Sequence, residues 1–343
     1  MPLPAAATTR IAIVSDAWKP QVNGVVRTLS AVASELQAMG HAVDVIGPDR
    51  FRTLPLPTYP DIRVALLPKR QLVRAIEAFG PKILHIATEG PLGIAARRWA
   101  LKQGVRFTTS FHTRFPEYIQ ARTGLPTRPA YAWMRHFHNA GGATFVAASS
   151  LRQELTDRGF TKVRAWSRGV DLDLFKPTPR EDWNLPRPVF IYVGRVAVEK
   201  NIVAFLKLDL PGSKVVVGGG PQLTALQRDY PNAVFTGPRF GRALAEAYAG
   251  ADVFVFPSLT DTFGLVILEA LACGTPVAAF PVTGPKDVLV GARGVVGAVD
   301  ADLRAAALAA LHADRAACRQ HAERHSWRAC AERFLSHLVP MRD

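Results

Sequence analysis

The chain of 343 residues, 48% hydrophobic and 20% charged, suits two domains of roughly 100–200 residues, each with its own core, and excludes disorder, collagen and coiled coil. No stretch reaches the roughly 18 uncharged apolar residues of a membrane-spanning helix, and the start MPLPAAATTR lacks the basic and apolar regions of a secretory leader, so a cytoplasmic protein is expected. The formal net charge of +14 is uneven: residues 1–176 carry 24 Lys and Arg against 12 Asp and Glu, the remainder 18 against 16.

In chain order, short apolar, β-branched runs alternate with helical segments, the pattern of parallel strands joined by crossover helices. Strands are expected at 11–15, 42–46, 63–67, 83–86, 105–110 and 143–147, and helices at 25–39, 71–79, 92–102, 128–139 and 151–158. A polar stretch with four prolines, PTPREDWNLPRP, then reads as an interdomain linker. The rhythm restarts with strands at 189–193, 214–217, 233–236, 253–256 and 277–280, and helices at 202–207, 222–230, 242–249 and 265–273. The tail from Asp300 is Ala-rich and helical, ending in an amphipathic segment at 327–339. Two doubly wound domains place ligand sites at the carboxyl ends of strands.

Several loops at those ends carry candidate chemistry. Asn23-Gly24 precedes the first helix, and Gly24 there lets a ligand approach backbone amides, although Asn-Gly is equally a plain turn. The Rossmann glycine fingerprint is absent from this turn, which argues against an NAD dehydrogenase. After strand 189–193 come Arg195, Glu199, Lys200 and Asn201; the two cations suit a diphosphate, or one of them pairs with Glu199 on a solvated loop.

In FPSLTDTFGLVILEALACGTPVAAFPV, Glu269 lies in an otherwise apolar run, where a buried carboxylate needs a hydrogen-bond donor such as a ribose diol or a structural partner. Asp261 either caps the helix or meets ligand, and Phe263, Gly264 and Leu265 present amides at the helix start. His112 follows the strand at 105–110, a position that sets it above the other histidines. Asp171 and Asp173 have no further oxygen-bearing partner nearby and do not read as a metal site. The cysteines Cys273, Cys318 and Cys330 form no cluster, so neither a disulfide framework nor a metal site is expected.

Taken together, these segments resemble the retaining glycosyltransferases of family 4. The matching pieces are Pro20 to Gly24, Phe111-His112-Thr113, Gly169-Val170-Asp171, Gly194-Arg195 with Glu199-Lys200, Gly218-Gly219-Gly220-Pro221, and Asp261 and Glu269 around Phe263-Gly264. The resemblance implies an α/β fold of the GT-B type: two Rossmann-like doubly wound domains facing a central cleft, with a C-terminal helix crossing back to the first domain. The corresponding boundaries are 1–176 for an acceptor-binding domain, 177–188 for a linker, 189–325 for a nucleotide-sugar-binding domain, and 326–343 for the returning helix.

The resemblance further implies transfer of a hexosyl unit from a nucleotide sugar to a hydroxyl, with retention, no metal ion and no cofactor. By matched position Arg195 and Lys200 neutralise the departing diphosphate, helped by amides at Gly24 and at Phe263, Gly264 and Leu265. Glu269 holds the ribose, Asp261 contacts the donor sugar and His112 orients that sugar. The family's usual pair is Glu and Glu eight apart, and Asp261 is one methylene shorter, which leaves the donor open among UDP-glucose, UDP-glucuronate and GDP-mannose.

The basic first half points to the acceptor. Lys69, Arg70 and Arg74, with Arg128 beside Trp133, suit an anionic bilayer, or else a solvated basic face. The second-half segments are similar to those of bacterial relatives that glycosylate diacylglycerol or transfer mannose. A peripheral enzyme at the inner face of the cytoplasmic membrane, acting on a glycerolipid, is expected. A soluble transferase extending a saccharide or polyol is the alternative within enzymes. Nucleic acid is not an expected partner, since the basic residues are spread over helices without a binding module.

Overall fold

The alternation builds two parallel sheets in a computed structural model that describes residues 8–21, 23–56, 59–178 and 183–342. The first half holds strands β1 (Arg10–Val14), β2 (Ala42–Ile46), β3 (Thr53–Leu56), β4 (Tyr59–Ala65), β5 (Ile83–Ile86), β6 (Thr108–Phe111), β7 (Ala143–Val146) and β8 (Val163–Ala165). Six of them lie in the order β2-β1-β5-β6-β7-β8, all parallel. The strand expected at 63–67 is instead the second arm of an antiparallel hairpin, β3 with β4. Pro55 and Pro60 have no amide to donate, which suits a two-stranded ribbon better than a sheet interior. β6 also starts later than expected, because the amides of Val105 and Arg106 bond to Ala100 and Met341 carbonyls.

Helices α1 (Gly24–Ala38), α2 (Lys69–Phe79), α3 (Pro91–Lys102), α4 (Phe115–Thr123), α5 (Thr127–Asn139) and α6 (Ser149–Asp157) alternate with these strands. α1 begins where Asn23 Oδ1 accepts from the amides of Val25 and Val26, both at 3.0 Å, and buries Val26, Leu29, Val32, Ala33 and Leu36 along one face. That spacing of three and four is what an amphipathic helix over a sheet requires. α2 and α3 cover the opposite sheet face with Leu72, Ile76, Leu92 and Ala96.

The second half holds β9 (Val189–Val193), β10 (Ser213–Val217), β11 (Val234–Gly237), β12 (Val253–Phe256), β13 (Val277–Ala279) and β14 (Gly297–Val299), in the order β11-β10-β9-β12-β13-β14. Its helices are α7 (Ile202–Leu206), α8 (Leu223–Asp229), α9 (Gly241–Gly250), α10 (Leu265–Ala272), α11 (Pro285–Val288), α12 (Leu303–Ala310) and α13 (Arg315–Glu323); the chain closes with α14 (Trp327–His337). Ile202, Phe205, Leu226, Leu303 and Ala307 form one layer of its core.

The chain folds as two compact units. One comprises the residues up to Pro116, Pro126–Ser167 and the segment from Trp327 on; the other comprises Glu117–Leu125 and Arg168–Ser326. The passage at Ser167–Arg168 precedes the linker expected at 177–188, of which residues 179–182 lie outside the described residues. Residues 168–176 join the second unit because the Val170 amide bonds to the His325 carbonyl at 3.0 Å and the Arg319 guanidinium donates to the carbonyls of Leu172 and Phe175.

α14 belongs to the first unit, as the resemblance implies. Phe334 packs on Trp166 with ring centroids 4.8 Å apart, and Trp166 Nε1 donates to the Cys330 carbonyl at 3.1 Å. Burying a side chain the size of Phe334 stabilises by about 1.5–3 kcal/mol. Cys273, Cys318 and Cys330 are buried free thiols. No helix among the described residues is long and apolar enough to cross a membrane.

His85 on β5 is fully buried, with its ring nitrogens 2.8 Å from Thr108 Oγ1 and 2.9 Å from Ser110 Oγ. Burial, with His138 nearby, pushes its pKa down to about 3. In the unfolded chain the ring takes a proton near pH 6.5, so its contribution is present above that pH and is lost as pH falls towards 3. Stability is expected to fall by about 1.4 kcal/mol per pH unit below 6.5 from this group. Urea midpoints measured from pH 7.5 to 4.5 check this, and the slope is expected to be shallower in His85→Gln.

Candidate active site

The second sheet reverses its winding between β9 and β12: the chain leaves β9 for β10 on one side and reaches β12 on the other. Ligands of open α/β sheets sit at the carboxyl ends of such a pair. Here the loop after β9 is clamped to the loop after β10. The amides of Gly194, Val196 and Gln222 bond to the carbonyls of Val217, Gly219 and Val196 at 3.0, 2.9 and 3.1 Å. A Cβ on Gly218 would stand 1.8 Å from the Gly194 carbonyl oxygen, and one on Gly220 2.4 Å from that of Val196. The Gly218-Gly219-Gly220 run is thus required by backbone packing. Beneath it, the buried Tyr192 hydroxyl donates to the Arg195 carbonyl at 2.8 Å.

Further along this loop, Lys200 meets the loop after β12. Its Nζ lies 2.5 Å from Asp261 Oδ1. Two links hold the segments together: Asn201 Nδ2 donates to the Pro257 carbonyl at 3.1 Å, and Thr260 Oγ1 donates to the Glu199 carbonyl at 3.2 Å. Burial works against the Lys200 charge, but Asp261, with the Tyr118 and Tyr192 hydroxyls, outweighs it and holds the ammonium above the usual lysine range. Lys200 is therefore a fixed cation. Glu199 is buried and Arg195 half-buried in the same loop; the ion pair seen for Lys200 is with Asp261, sixty-one residues away in sequence, instead of with its neighbour.

α10 starts from Gly264, whose φ of +83° is left-handed and which, as a glycine, brings no capping side chain. Phe263 just before it is buried. A Cβ on Gly284 would stand 2.5 Å from the Phe263 carbonyl oxygen, so the second glycine-bearing loop, Pro281 to Pro285, backs this turn. Glu269 sits one turn into the helix at 3% exposure and accepts from the Tyr248 hydroxyl at 3.2 Å. The donor that its apolar surroundings demand is thus supplied in part by the protein. The nearby Cys273 thiol is pushed up to about 12 by burial and by the Glu269 charge.

The corresponding helix start of the first unit is filled from within. Asp16, just after β1, accepts from the amides of Leu92 and Gly93 at 2.8 and 3.2 Å and from Thr88 Oγ1 at 2.8 Å. Burial raises its pKa, against the pull of those hydrogen bonds. A carboxylate thus occupies the anion position of α3, whereas α10 starts at Gly264, which has no side chain to fill its own. At Gly24, which is exposed, the amides of Val25 and Val26 are taken by Asn23 Oδ1; Val22 of that loop lies outside the described residues.

His112 follows β6 at 8% exposure, its ring 5.9 Å from Trp166. Asp171 Oδ1 accepts from the amides of Asp173 and Leu174, a local turn. Among the described residues no group of three or more His, Cys, Asp or Glu could hold a metal. Lys69, Arg70, Arg74, Arg128 and Trp133 are all exposed.

The structure thus gathers Arg195, Lys200, Asp261, Phe263, Gly264, Leu265 and Glu269 on the loops and helix start around one switch point. It adds two residues that the sequence did not single out, Tyr118 and Thr260, whose side chains hydrogen-bond to each other beside Lys200. Tyr118 lies on α4, a helix missed because its apolar residues follow no clear 3.6-residue period.

Two successive doubly wound parallel-sheet units of this kind are the GT-B class of glycosyltransferase fold. Residues 22–174 match the family described as Glycosyltransferase Family 4, and residues 187–314 that described as Glycosyl transferases group 1. The chain belongs to glycosyltransferase family 4. It is 34% identical over 311 residues to the GDP-mannose-dependent alpha-mannosyltransferase of Mycobacterium tuberculosis, covering 83% of this chain and 82% of that protein. It is 28% identical over 313 residues to the alpha-monoglucosyldiacylglycerol synthase of Streptococcus pneumoniae, covering 79% and 70%. Among solved structures, sucrose-phosphate synthase of Thermosynechococcus elongatus superimposes with a TM-score of 0.73 at 22% identity, covering 95% of this chain and 97% of that one. The protein is a glycosyltransferase of the hexosyltransferase class that uses a nucleotide sugar.

Proposed function

We propose that the protein transfers mannose from GDP-mannose, with retention and without a metal ion, to a hydroxyl of a membrane glycerolipid such as a diacylglycerol glycolipid. The observation that carries the donor half is the contrast between the two switch points. The first is filled by Asp16, whereas the second offers the fixed charge of Lys200 beside an α10 that starts at a glycine. A diphosphate leaving group gains most from cations already in place where its charge develops.

In this reading the bond from the anomeric carbon to the diphosphate oxygen breaks, the acceptor oxygen forms its bond on the same face, and the acceptor hydroxyl's proton passes to the departing diphosphate oxygen. Lys200 and Arg195 take the diphosphate charge, with the amides of Gly264 and Leu265. Glu269 holds the ribose in the place where it now accepts from Tyr248, and Asp261 contacts the sugar. GDP-mannose is preferred over UDP-glucose and UDP-glucuronate because three mannosyltransferases named for that donor are 30–34% identical to this chain.

The acceptor half rests on the first unit's surface. Leu67 is 97% exposed at φ +46°, next to exposed Leu66 and directly before the exposed Lys69, Arg70 and Arg74 of α2. A left-handed leucine costs about 1–2 kcal/mol, and its exposure returns nothing to folding, whereas apolar tips beside cations fit the interface of an anionic bilayer. In this reading the enzyme works at the inner face of the cytoplasmic membrane.

Labelled GDP-mannose, UDP-glucose and UDP-glucuronate, each offered with vesicles of anionic lipid containing diacylglycerol glycolipid, test both halves. Label from GDP-mannose is expected in the lipid phase, together with vesicle flotation that weakens with salt. Label found only in water-soluble saccharide removes the lipid acceptor, and transfer from a UDP-sugar alone removes the donor.

A further inference from the structure

The donor reading accounts for Lys200 and Asp261 but leaves unexplained what holds them in register. The ion pair joins two loops that are far apart in sequence, and both residues are preceded by a partner in a second link: Thr260, just before Asp261, donates to the carbonyl of Glu199, just before Lys200. Tyr118 completes the arrangement. Its side chain is hydrogen-bonded to that of Thr260 and lies within electrostatic reach of Lys200, Asp261 and Glu199. Burial pushes the Tyr118 pKa up to about 12, so the phenol keeps its proton at any working pH.

We propose that Tyr118 is a positioning residue for the donor site: through Thr260 it fixes the Asp261 loop against the Lys200 loop and so sets where the ammonium meets the leaving diphosphate. Tyr118, on α4, is supplied to the second unit by Glu117–Leu125, a segment separated in sequence from the rest of that unit. The physical ground is that leaving-group stabilisation depends steeply on placement; a displacement of about 1 Å can cost on the order of a hundredfold in rate. A hydroxyl relay between the two loops limits such displacement without touching the substrate.

The proposal rests on the donor reading, and its test separates the two. Tyr118→Phe removes one hydroxyl and keeps the ring. It is expected to lower kcat about tenfold, with the donor KM changed less than threefold and the melting temperature unchanged. Thr260→Val should show the same loss, Thr260→Ser should restore activity, and the double variant Tyr118→Phe/Thr260→Val should be no slower than either single one, because both act through one link. Wild-type kcat in Tyr118→Phe, or losses that multiply in the double variant, overturns the positioning role. Lys200→Ala run alongside distinguishes the failures: if it is inactive while Tyr118→Phe is normal, only the relay falls, and if it transfers sugar normally, the donor site itself is wrong.

Discussion

Replacing Lys200 by alanine is expected to lower kcat by about a hundred- to a thousandfold, the loss typical of removing one preorganised donor from a developing anion. The pair with Asp261 at 2.5 Å means that the ammonium is already held when donor arrives, so little reorganisation is needed at the transition state. The same variant leaves the half-buried Asp261 carboxylate without its cation, and the double variant Lys200→Ala/Asp261→Asn is therefore expected to be the more stable of the two. Because Asp261 and the flanking hydroxyls raise the Lys200 pKa, no loss of activity from its deprotonation is expected up to pH 9. Single-turnover release of nucleotide diphosphate, followed from pH 6 to 9, measures both the drop and the flat profile. A Lys200→Ala enzyme that turns over at the wild-type rate removes this residue from the chemistry.

Gly218→Ala should be nearly as severe through a different cause. Its new Cβ would stand 1.8 Å from the Gly194 carbonyl oxygen, at a φ of +154°, and both contacting groups are backbone that cannot rotate away. Overpacking of this sort costs about 1–3 kcal/mol or more, and relief requires moving the Gly194–Lys200 loop. Nucleotide affinity should fall more than tenfold, together with the melting temperature. Gly219→Ala is the control one residue on: its nearest neighbour would be Pro238 Cδ at 3.8 Å, an ordinary contact, so stability and nucleotide binding should stay at wild-type values. Calorimetric unfolding and equilibrium dialysis with GDP test the pair; equal behaviour of the two variants would count against the clamp between the loops.

Much of this site is legible because strand ends and loop composition are local properties. Val189–Val193 is an unbroken apolar run, Gly264 marks a helix start, and Glu269 stands out as the one carboxylate in an apolar helix. The misreadings also have local causes. Residues 63–67 alternate as a strand should, but nothing within them distinguishes a ribbon from a parallel sheet. The proline stretch marks a break in rhythm, yet the unit boundary falls earlier, at Ser167–Arg168, because Val170 and Phe175 find their partners at His325 and Arg319.

Periodicity and strand-end motifs in the sequence by themselves settled the α/β class and the two successive windings, and they singled out the residues proposed above to serve a phosphate. Those features depend on side-chain spacing over a few residues, which the chain carries wherever it is read. Only the tertiary structure decided that Lys200 pairs with Asp261, that Asp16 fills the anion position of α3, and that Tyr118 stands beside the Lys200 loop. Each of these choices joins residues dozens of positions apart, and it is the order of strands in a sheet that sets which loops meet.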